Sequence, residues 1–302
     1  MLTVLVLLAL ALVTGSLVAV VLLRLPQADV GATKAVGKEL RRSPGVRRFL
    51  RSRVEPGVAT GLALTGAMLA TILGGIVIGV FVYMVRRNSG VVGWDRQVAG
   101  WAGDHASTLS TRILDVVTGL GMTATIIVLT VATAIYGIVR WRRPSIALFL
   151  VLVVAGQLLI SNLIKAGVAR TRPAIHPLAG FSGPSFPSGH STAAAATFAA
   201  IALVLGRGRP SKVRAALGGV AAGIAVAVAC SRVFLGVHWV SDVVAGLALG
   251  WAWFALCSLA LGGRILRFGA PAEVAAAPSF SADPGHIASE QAAMQGSDAP
   301  RS

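Results

Sequence analysis

A histidine and an aspartate in this sequence have the spacing of a catalytic pair. Asp242 follows His238 by four residues, which on a helix is one turn along the same face. A carboxylate placed there accepts an imidazole N–H, fixes the ring tautomer and stabilises the imidazolium form. The other ring nitrogen is then free to act as a nucleophile or a base. A lone histidine or a lone aspartate is more often structural, so it is the pair that predicts chemistry.

A second motif joins a serine–glycine turn to a histidine. Pro187, Ser188, Gly189 and His190 open an apolar run, as expected at the N-terminus of a helix. The backbone N–H groups and the hydroxyl at such a terminus can bind an anion. Taken alone, the tetrapeptide favours a plainer interpretation, an N-cap serine followed by a polar histidine at an interface.

Three cations complete the set of candidate residues. Lys165 and Arg172 are seven residues apart, two turns on one helix face, and Arg232 stands six residues before His238. Snorkelling at a membrane edge is the alternative for the first two. Together with the two histidines the cations suit a phosphoryl group, which they would cradle while one histidine attacks and the other donates a proton. The chain has no carboxylate cluster for Mg²⁺ or Zn²⁺, so the predicted mechanism uses no metal and no cofactor.

The composition restricts the class of protein that carries these residues. Of the 302 residues, 55% are hydrophobic and 13% are charged, whereas about 25% are charged in a typical soluble domain. These values exclude an ordinary soluble protein, a disordered chain and a disulfide scaffold, and they leave an integral membrane protein. The net charge is +16. No recognition motif accompanies that charge, so nucleic acid is not an expected partner.

Seven apolar runs approach or exceed the roughly 20 residues that cross a bilayer. The runs are 1–23, 58–85, 113–139, 145–164, 192–205, 213–229 and 239–261. The fifth run is short unless it begins near Ser188. None of the runs alternates strictly between apolar and polar residues. We therefore predict an all-α, polytopic transmembrane helix bundle.

The runs divide the chain into four segments. Residues 1–23 form an N-terminal transmembrane helix, which we expect to be a retained anchor, because the apolar run is too long for the h-region of a signal peptide and no basic residue precedes it. Residues 24–56 form a basic loop, whose stretch 38–53 either lies against anionic headgroups or is a plain stop-transfer cluster. Residues 57–262 hold a six-helix membrane domain. The segment 271–302 is expected to be a disordered tail.

Lysine and arginine are unevenly divided between the two sides of the predicted bundle. If the runs alternate across the membrane with 24–56 in the cytoplasm, 19 basic residues lie inside and 8 lie outside. Cytoplasmic loops of membrane proteins carry such an excess. We therefore expect a multi-pass plasma-membrane protein with an external N-terminus, a cytoplasmic C-terminus and all three motifs on the extracytoplasmic face.

Taken in order, the motifs resemble the three-part signature of the type 2 phosphatidic acid phosphatases. The matching positions are Lys165-x6-Arg172-Pro173, Pro187-Ser188-Gly189-His190 and Ser231-Arg232-x5-His238-x3-Asp242. That superfamily includes lipid phosphate phosphatases, undecaprenyl-diphosphatases, class A acid phosphatases and vanadium haloperoxidases. Its membrane members have a six-helix core. The resemblance does not explain the first helix, the basic loop or the tail.

The resemblance implies a role for each matched position. His238 resembles the nucleophile that forms a phosphohistidine, Asp242 its orienting partner, and His190 the acid that protonates the leaving group. The residues that resemble the phosphate cradle are Lys165, Arg172, Ser188, Gly189 and Arg232. The implied activity is hydrolysis of a lipid phosphate monoester or a polyprenyl diphosphate. Two alternatives stay open, a vanadate-dependent haloperoxidase-like enzyme and a non-catalytic scaffold or lipid transporter on the same fold.

Four polar residues near the motifs receive no catalytic role. Asp104 and His105 fall on the same predicted face and are expected to belong to a solvated loop. Arg170 lies within the first motif and His176 lies just after it, and neither position is specified by the signature.

Overall fold

The structure, a computed structural model, describes residues 1–24, 58–173, 178, 180 and 183–262. Nine α-helices make up most of these residues, and no strand occurs among them. In chain order the helices are α1 (Leu2–Arg24), α2 (Val58–Arg86), α3 (Val91–Asp104), α4 (Thr108–Gly119), α5 (Thr123–Trp141), α6 (Ser145–Val168), α7 (Gly189–Leu205), α8 (Ser211–Phe234) and α9 (Val240–Cys257). A short π-helical turn, Ser258–Gly262, continues α9. The prediction of an all-α bundle is confirmed.

Within the described part of the chain, six helices are long and apolar enough to cross a membrane. They are α1, Met68–Arg86 of α2, α5, α6, α8, and α9 with its extension to Leu261. The seventh apolar helix, α7, extends the run 192–205 back to Gly189 and has 17 residues, a length of about 26 Å. The chain is therefore a multi-pass membrane protein, with a six-helix core and α1 in addition.

The third apolar run is two helices rather than the single span expected at 113–139. α4 ends at Gly119 and α5 begins at Thr123. Between them the Gly121 N–H donates to a carbonyl three residues earlier, at 2.9 Å, which is the pattern of a turn. A Cβ on Gly121 would stand 2.7 Å from Cγ1 of Val228. The break in the helix thus allows the α4–α5 turn to pack closely against α8.

α7 lies at the centre of the core and contacts α5, α6, α8 and α9. The side chains of its first half are mostly small and buried, and two glycines of α9 face it. A Cβ on Gly250 would stand 2.5 Å from the carbonyl oxygen of Thr192, and one on Gly246 would stand 2.7 Å from that of Ser188. Small residues at such positions let helix backbones approach closely in a membrane. The N-terminus of α7 is therefore held firmly against the start of α9.

α1 packs along α8 on the outside of the core. A Cβ on Gly15 would stand 2.8 Å from the carbonyl oxygen of Gly219, so the two backbones are in direct contact. Leu22 contacts Gly218 near the start of α8, while Leu7 packs in a buried cluster with residues that follow the end of α8. The two helices therefore run antiparallel.

The end of the bundle formed by the C-terminus of α6, the N-terminus of α7 and residues 235–239 is called the motif end below. Helices α3 and α4 lie at this end, because α3 packs on α2, α8 and α9, and α4 packs on α8. α4 is capped by Ser107, whose hydroxyl accepts the N–H of Ser110 at 3.2 Å. Both short helices therefore border the region that holds the three motifs.

Several predictions lie outside the described residues. The headgroup contact expected for 38–53 and the disorder expected for 271–302 are among them. The division of the chain into four segments likewise stays a prediction.

Candidate active site

His238 lies in the connection between α8 and α9 and is 2% exposed. Its Nδ1 atom is 3.5 Å from Oδ2 of Asp242. Its Nε2 atom is 3.0 Å from Nη1 of Arg172. A guanidinium group only donates hydrogen bonds, so Nε2 is the unprotonated nitrogen and Nδ1 carries the proton that faces the carboxylate. The ring therefore presents the lone pair that a nucleophile needs.

The turn before α9, not a shared helix face, joins His238 to Asp242. α9 begins at Val240 with Trp239 as its N-cap, so His238 precedes the helix and the expectation of a common face is wrong. The Trp239 N–H donates to Oδ2 of Asp242 at 3.0 Å, as an acidic residue in the first turn commonly accepts at a helix N-terminus. The four-residue spacing still brings the two side chains together.

Ser185 is a further member of the site that the sequence analysis missed. Its hydroxyl donates to Oδ2 of Asp242 and lies 3.4 Å from Nδ1 of His238. The side chain is fully buried. Its position two residues before Pro187 was the only signal in the sequence. Oδ2 of Asp242 thus accepts bonds from Trp239 and Ser185, and both fix the edge of the carboxylate that faces the histidine.

Two of the predicted cations are held beside His238 by the loop before α7. Lys165, in the last turn of α6, donates to the carbonyl of Pro184 at 3.0 Å. Arg172 donates through Nε to the carbonyl of Gly183 at 3.0 Å and through Nη2 to that of Pro184 at 3.3 Å. Lys165 lies within electrostatic range of both predicted arginines, Arg172 and Arg232. The cations therefore converge although they come from separate segments.

Lys165 and Arg172 do not share a helix face, which corrects the expectation from their spacing. α6 ends at Val168, and the next residue, Ala169, has the left-handed φ of 48°. The residue before a proline is disfavoured in a helix, and Pro173 follows Arg172 in an extended segment. The chain therefore turns back over the motif end and brings Arg172 to His238 from the side opposite Asp242.

Arg232 occupies the last turn of α8 and is 7% exposed. Its Nη1 atom donates to the hydroxyl of Thr118 at 3.1 Å. Its Nε atom is buried and has no hydrogen-bond partner among the described residues. A buried donor without a partner is costly, and a charged one more so. Such a group is satisfied when an anion binds beside it.

The Ser188–His190 segment acts both as a helix cap and as part of the site. Ser188 is the N-cap of α7, and its hydroxyl accepts the N–H of the residue three positions on. A Cβ on Gly189 would stand 3.8 Å from Cε of Lys165, so the helix N-terminus faces that cation. His190 is half-buried in the first turn and lies within electrostatic range of His238 and of all three cations.

Arg170, which received no role in the sequence analysis, lies between two carboxylates. Its Nη1 atom is 2.6 Å from Oδ1 of Asp242, and its Nη2 atom is 2.8 Å from Oδ2 of Asp95. Asp95 belongs to α3 and is 1% exposed. Little in the sequence distinguishes either residue. Arg170 is one more cation on the side of the membrane where cations are disfavoured, and Asp95 is one of 11 acidic residues.

Burial affects the ionisation of two residues in the connections at the motif end. Burial lowers the pKa of His238 to about 4, against the opposing effect of Asp242. Burial also lowers the pKa of Arg172, again against the attraction of Asp242. At neutral pH the imidazole is therefore neutral, as the hydrogen bond from Arg172 to Nε2 also requires.

The remaining polar residues of the region are peripheral. Asp104 and His105 are exposed at the C-terminal end of α3, in agreement with a solvated loop, and His105 stacks on Trp101 with ring centroids 4.6 Å apart. His176 lies outside the described residues. Among the residues that the structure does describe, no group of three or more His, Cys, Asp or Glu side chains is placed to hold a metal ion.

A cleft of about 470 Å³ opens beside Lys165. It is lined by Asn162 and Ala166 of α6 and by Gly183 and Pro184 of the following loop. Asn162 and Ala166 are exposed, on the outer surface of the bundle. The cleft therefore connects the cation group with the surface of the membrane-spanning helices.

Comparison with known proteins supports one family. Residues 146–265 match the PAP2 superfamily. The phosphatidylglycerophosphatase B of Bacillus subtilis is 40% identical over 116 residues, which are 38% of this chain and 57% of that protein. The lipid A 1-phosphatase of Rhizobium johnstonii is 40% identical over 119 residues, which are 36% of this chain and 44% of that protein. The chain thus spans about half the length of the curated relatives it matches.

A solved structure agrees with this result. The crystal structure of a transmembrane PAP2-type phosphatidylglycerolphosphate phosphatase from Bacillus subtilis superimposes with a TM-score of 0.61 at 28% identity. The match covers 66% of this chain and 98% of that one. The family match, the relatives and the fold agree with the motifs and with the membrane-spanning helices described above. This multi-pass membrane protein therefore contains a region, residues 146–265, that matches the PAP2 superfamily, and its fold is similar to that of a transmembrane PAP2-type phosphatase.

Proposed function

We propose that this protein is an integral-membrane phosphatase that hydrolyses a lipid phosphate monoester or a polyprenyl diphosphate through a phosphohistidine on His238. One observation carries the proposal, a buried neutral histidine whose Nε2 lies 3.0 Å from Arg172, the cation that interacts electrostatically with both Lys165 and Arg232. Arg232 supports it further, because its buried Nε has no partner among the described residues and suits an anionic oxygen. The two relatives described above are named as phosphatases of lipids, phosphatidylglycerophosphatase B and lipid A 1-phosphatase, which agrees with this assignment.

In the first step Nε2 of His238 attacks phosphorus. The N–P bond forms as the bond from phosphorus to the leaving oxygen breaks, and His190 donates its proton to that oxygen. The three cations bind the non-bridging oxygens, where negative charge is concentrated in the transition state. Asp242, held by Ser185 and Trp239, stabilises the positive charge that develops on the imidazole.

In the second step water hydrolyses the phosphohistidine. His190, now neutral, accepts a proton from the water as its oxygen attacks phosphorus, and the N–P bond breaks. Inorganic phosphate leaves, His238 regains its lone pair and His190 its proton. The balanced reaction is one lipid phosphate and one water to one lipid alcohol, or lipid monophosphate, and one phosphate. No step in this scheme requires a metal ion.

One N–H group of Arg172 changes its acceptor during the reaction. Its Nη1 atom donates to Nε2 of His238 at 3.0 Å, and that bond must break before the nitrogen attacks. The same N–H group then donates to a phosphoryl oxygen, because the oxygen arrives where Nε2 pointed. The exchange replaces a neutral acceptor by an anionic one, which forms the stronger bond.

A lipid substrate is favoured by the position of the cleft beside Lys165. The cleft runs from this cation to exposed residues of α6, so a phosphate headgroup can reach the cations while its apolar chain stays among lipids. α7 is about 26 Å long, shorter than the ~30 Å hydrocarbon core. A site at its N-terminus therefore suits a headgroup near the membrane surface, which we place on the extracytoplasmic side.

Phosphate release from the purified full chain tests this proposal. The panel in detergent consists of phosphatidic acid, phosphatidylglycerol phosphate, undecaprenyl diphosphate and diacylglycerol diphosphate. We expect release from at least one, inhibition by vanadate as a mimic of the transferred phosphoryl group, and no effect of EDTA. A ³²P label from the substrate should be recovered on wild-type protein in an alkali-stable, acid-labile form.

Matched variants make the test specific. His238→Ala should abolish both turnover and the covalent label, whereas His105→Ala, an exposed histidine at the same end, should keep both. Loss of activity in EDTA with recovery on adding Mg²⁺ would contradict the metal-free mechanism. Release of phosphate from none of the four lipids would contradict the proposed substrate class.

A further inference from the structure

Arg170 and Asp95 form a buried ion-pair network behind the proposed catalytic pair. The Arg170 side chain is 9% exposed, and the two carboxylates it bridges are 1% and 0% exposed. Nη1 donates to Oδ1 of Asp242 at 2.6 Å, and Nη2 donates to Oδ2 of Asp95 at 2.8 Å. Neither residue belongs to the phosphate-binding group. The network therefore acts on Asp242 from the side opposite to His238.

Asp95 also binds the first turn of α9. Its Oδ1 atom accepts the N–H of Ser241 at 2.9 Å, and its Oδ2 atom accepts the Ser241 hydroxyl at 2.6 Å. The Ser241 oxygen in turn accepts a bond from Nη1 of Arg170 at 2.7 Å. Three bonds thus connect α3 and Arg170 to the residue that immediately precedes Asp242.

Each oxygen of Asp242 has separate partners. Oδ1 is bound by Arg170, whereas Oδ2 is bound by the Trp239 N–H and the Ser185 hydroxyl and faces Nδ1 of His238. If Oδ1 lost its cation, only the bonds to Oδ2 would hold the carboxylate, and its orientation towards the imidazole would be less firmly fixed. A planar guanidinium holds its N–H donors in a fixed fork between the two carboxylates, whereas an ammonium group is a point charge on a flexible chain.

We propose that Arg170 and Asp95 are positioning residues, which hold the Asp242 carboxylate so that Oδ2 faces Nδ1 of His238. This inference rests on the proposed phosphatase function. A purely structural role is the alternative, but a buried ion pair is weak support for stability. The two roles differ in their effects on kcat and on the hydrogen bond between Nδ1 of His238 and Asp242.

Kinetics of a double-mutant cycle separate the two roles. We expect Arg170→Met to lower kcat on the order of 10²-fold with little change in KM, and Arg170→Lys to recover part of the loss. Asp95→Asn should lower kcat about 10-fold. Because Arg170 acts through Asp242, the double variant Arg170→Met/Asp242→Asn should be no slower than Asp242→Asn alone.

A substrate-free measurement distinguishes failure of this inference from failure of the proposed function. In ¹H–¹⁵N spectra of labelled histidine, with His238 identified by His238→Ala, the wild-type ring should show a downfield proton at Nδ1, hydrogen-bonded to Asp242, and Arg170→Met should move that proton resonance upfield. This holds whether or not the lipids tested are substrates. Failure of the wild type to release phosphate would count against the proposed function alone.

Controls and contrary outcomes complete the test. Arg96→Met and Asp104→Asn, both exposed on α3, should keep kcat within twofold and leave the Nδ1 proton resonance unchanged. Thermal unfolding in detergent identifies variants that fail to fold. If Arg170→Met is one of them, Arg170→Lys and Asp95→Asn are measured in its place. Additive losses in the double variant, an effect confined to KM, or an unchanged Nδ1 proton resonance in Arg170→Met would each overturn the inference.

Discussion

The Nε2 lone pair of His238 is available only when the ring is neutral, and its environment favours that state. Burial lowers the pKa of this histidine to about 4, compared with about 6.5 for an exposed imidazole. Above pH 4 the ring is neutral and can attack phosphorus, whereas below it the ring is protonated and cannot. Activity that depends on this nitrogen is therefore lost as the pH falls through the lowered value.

The first prediction concerns the acid limb of the pH profile. We expect kcat to fall as the pH drops towards about 4, and not near 6.5, because burial sets the ionisation of His238. The measurement is phosphate release between about pH 3.5 and 8, with thermal unfolding at each pH as the control for stability. An acid limb near 6.5 in a protein that remains folded at pH 5 would show that a solvated histidine is the nucleophile.

The second prediction concerns the orienting carboxylate. Asp242→Asn should lower kcat by about 10²–10⁴-fold, as for other carboxylates that fix a histidine tautomer. Asparagine keeps the shape of the side chain, but an NH2 group replaces one of the two carboxylate oxygens. Whichever oxygen is replaced, a group that only donates then faces a donor, either Nδ1 of His238 or Arg170. The readout is kcat with the best lipid substrate, and covalent labelling of His238 should slow in parallel. A loss below twofold would remove Asp242 from the mechanism.

The third prediction concerns Ser185, which lies beside both members of the pair. Ser185→Ala should lower kcat about 10-fold with KM nearly unchanged, because it removes one of the bonds that fix Oδ2 of Asp242. Ser89→Ala, an exposed serine in the α2–α3 connection, is the matched control and should behave as wild type. An increase in KM alone would assign Ser185 to substrate binding instead.

The residues that were identified in the sequence and those that were missed differ in how far they are from their partners along the chain. Asp242 lies four residues from His238, and local spacing was enough to pair them even though the helix starts later than expected. Asp95 is 146 residues from Ser241, and no local pattern reports such a contact. Arg170 pairs with two carboxylates from different helices, so its role depends on the packing of α3 against α9.

At the level of helices, apolar runs predicted which segments cross the membrane but not where helices bend. The run 113–139 contains no charged residue except Asp115, yet α4 and α5 are separate. The turn between them follows from the close approach of Gly121 to α7 and α8, which is a tertiary contact. Hydropathy cannot report that contact. It also cannot show that Thr118, at the end of α4, binds Arg232.

The fourth prediction concerns the docking of α1 on α8. A Cβ on Gly219 would stand 2.5 Å from the carbonyl oxygen of Gly15, so Gly219→Leu should separate the helices and destabilise the protein by about 1–3 kcal/mol. Gly75→Leu is the control, since a Cβ there has no neighbour within 4 Å. Thermal unfolding in detergent measures both. Equal stability of the two variants would show that α1 does not pack on α8.

For the whole molecule, the charges of the two ends have different explanations. At the end opposite the motif end, the basic residues of the α5–α6 and α7–α8 connections lie at the ends of apolar helices, as cytoplasmic loops do. At the motif end, Lys165, Arg170, Arg172 and Arg232 are held by carbonyls, carboxylates or a hydroxyl within the bundle. These four residues are among the basic residues counted on the outer side. When they are left out of the count, the excess of lysine and arginine on the opposite side is larger, and that excess places the motif end outside.

The last prediction tests that orientation. In a chain with Cys230→Ala and Cys257→Ala, a single cysteine replaces either Asp104, exposed at the motif end, or Arg143, exposed in the α5–α6 connection. In intact cells an impermeant thiol reagent should label the first and not the second, because the charge bias places the motif end outside. Permeabilised cells should label both, which controls for accessibility. The reverse pattern in intact cells would place the site in the cytoplasm and make its substrate a lipid of the inner leaflet.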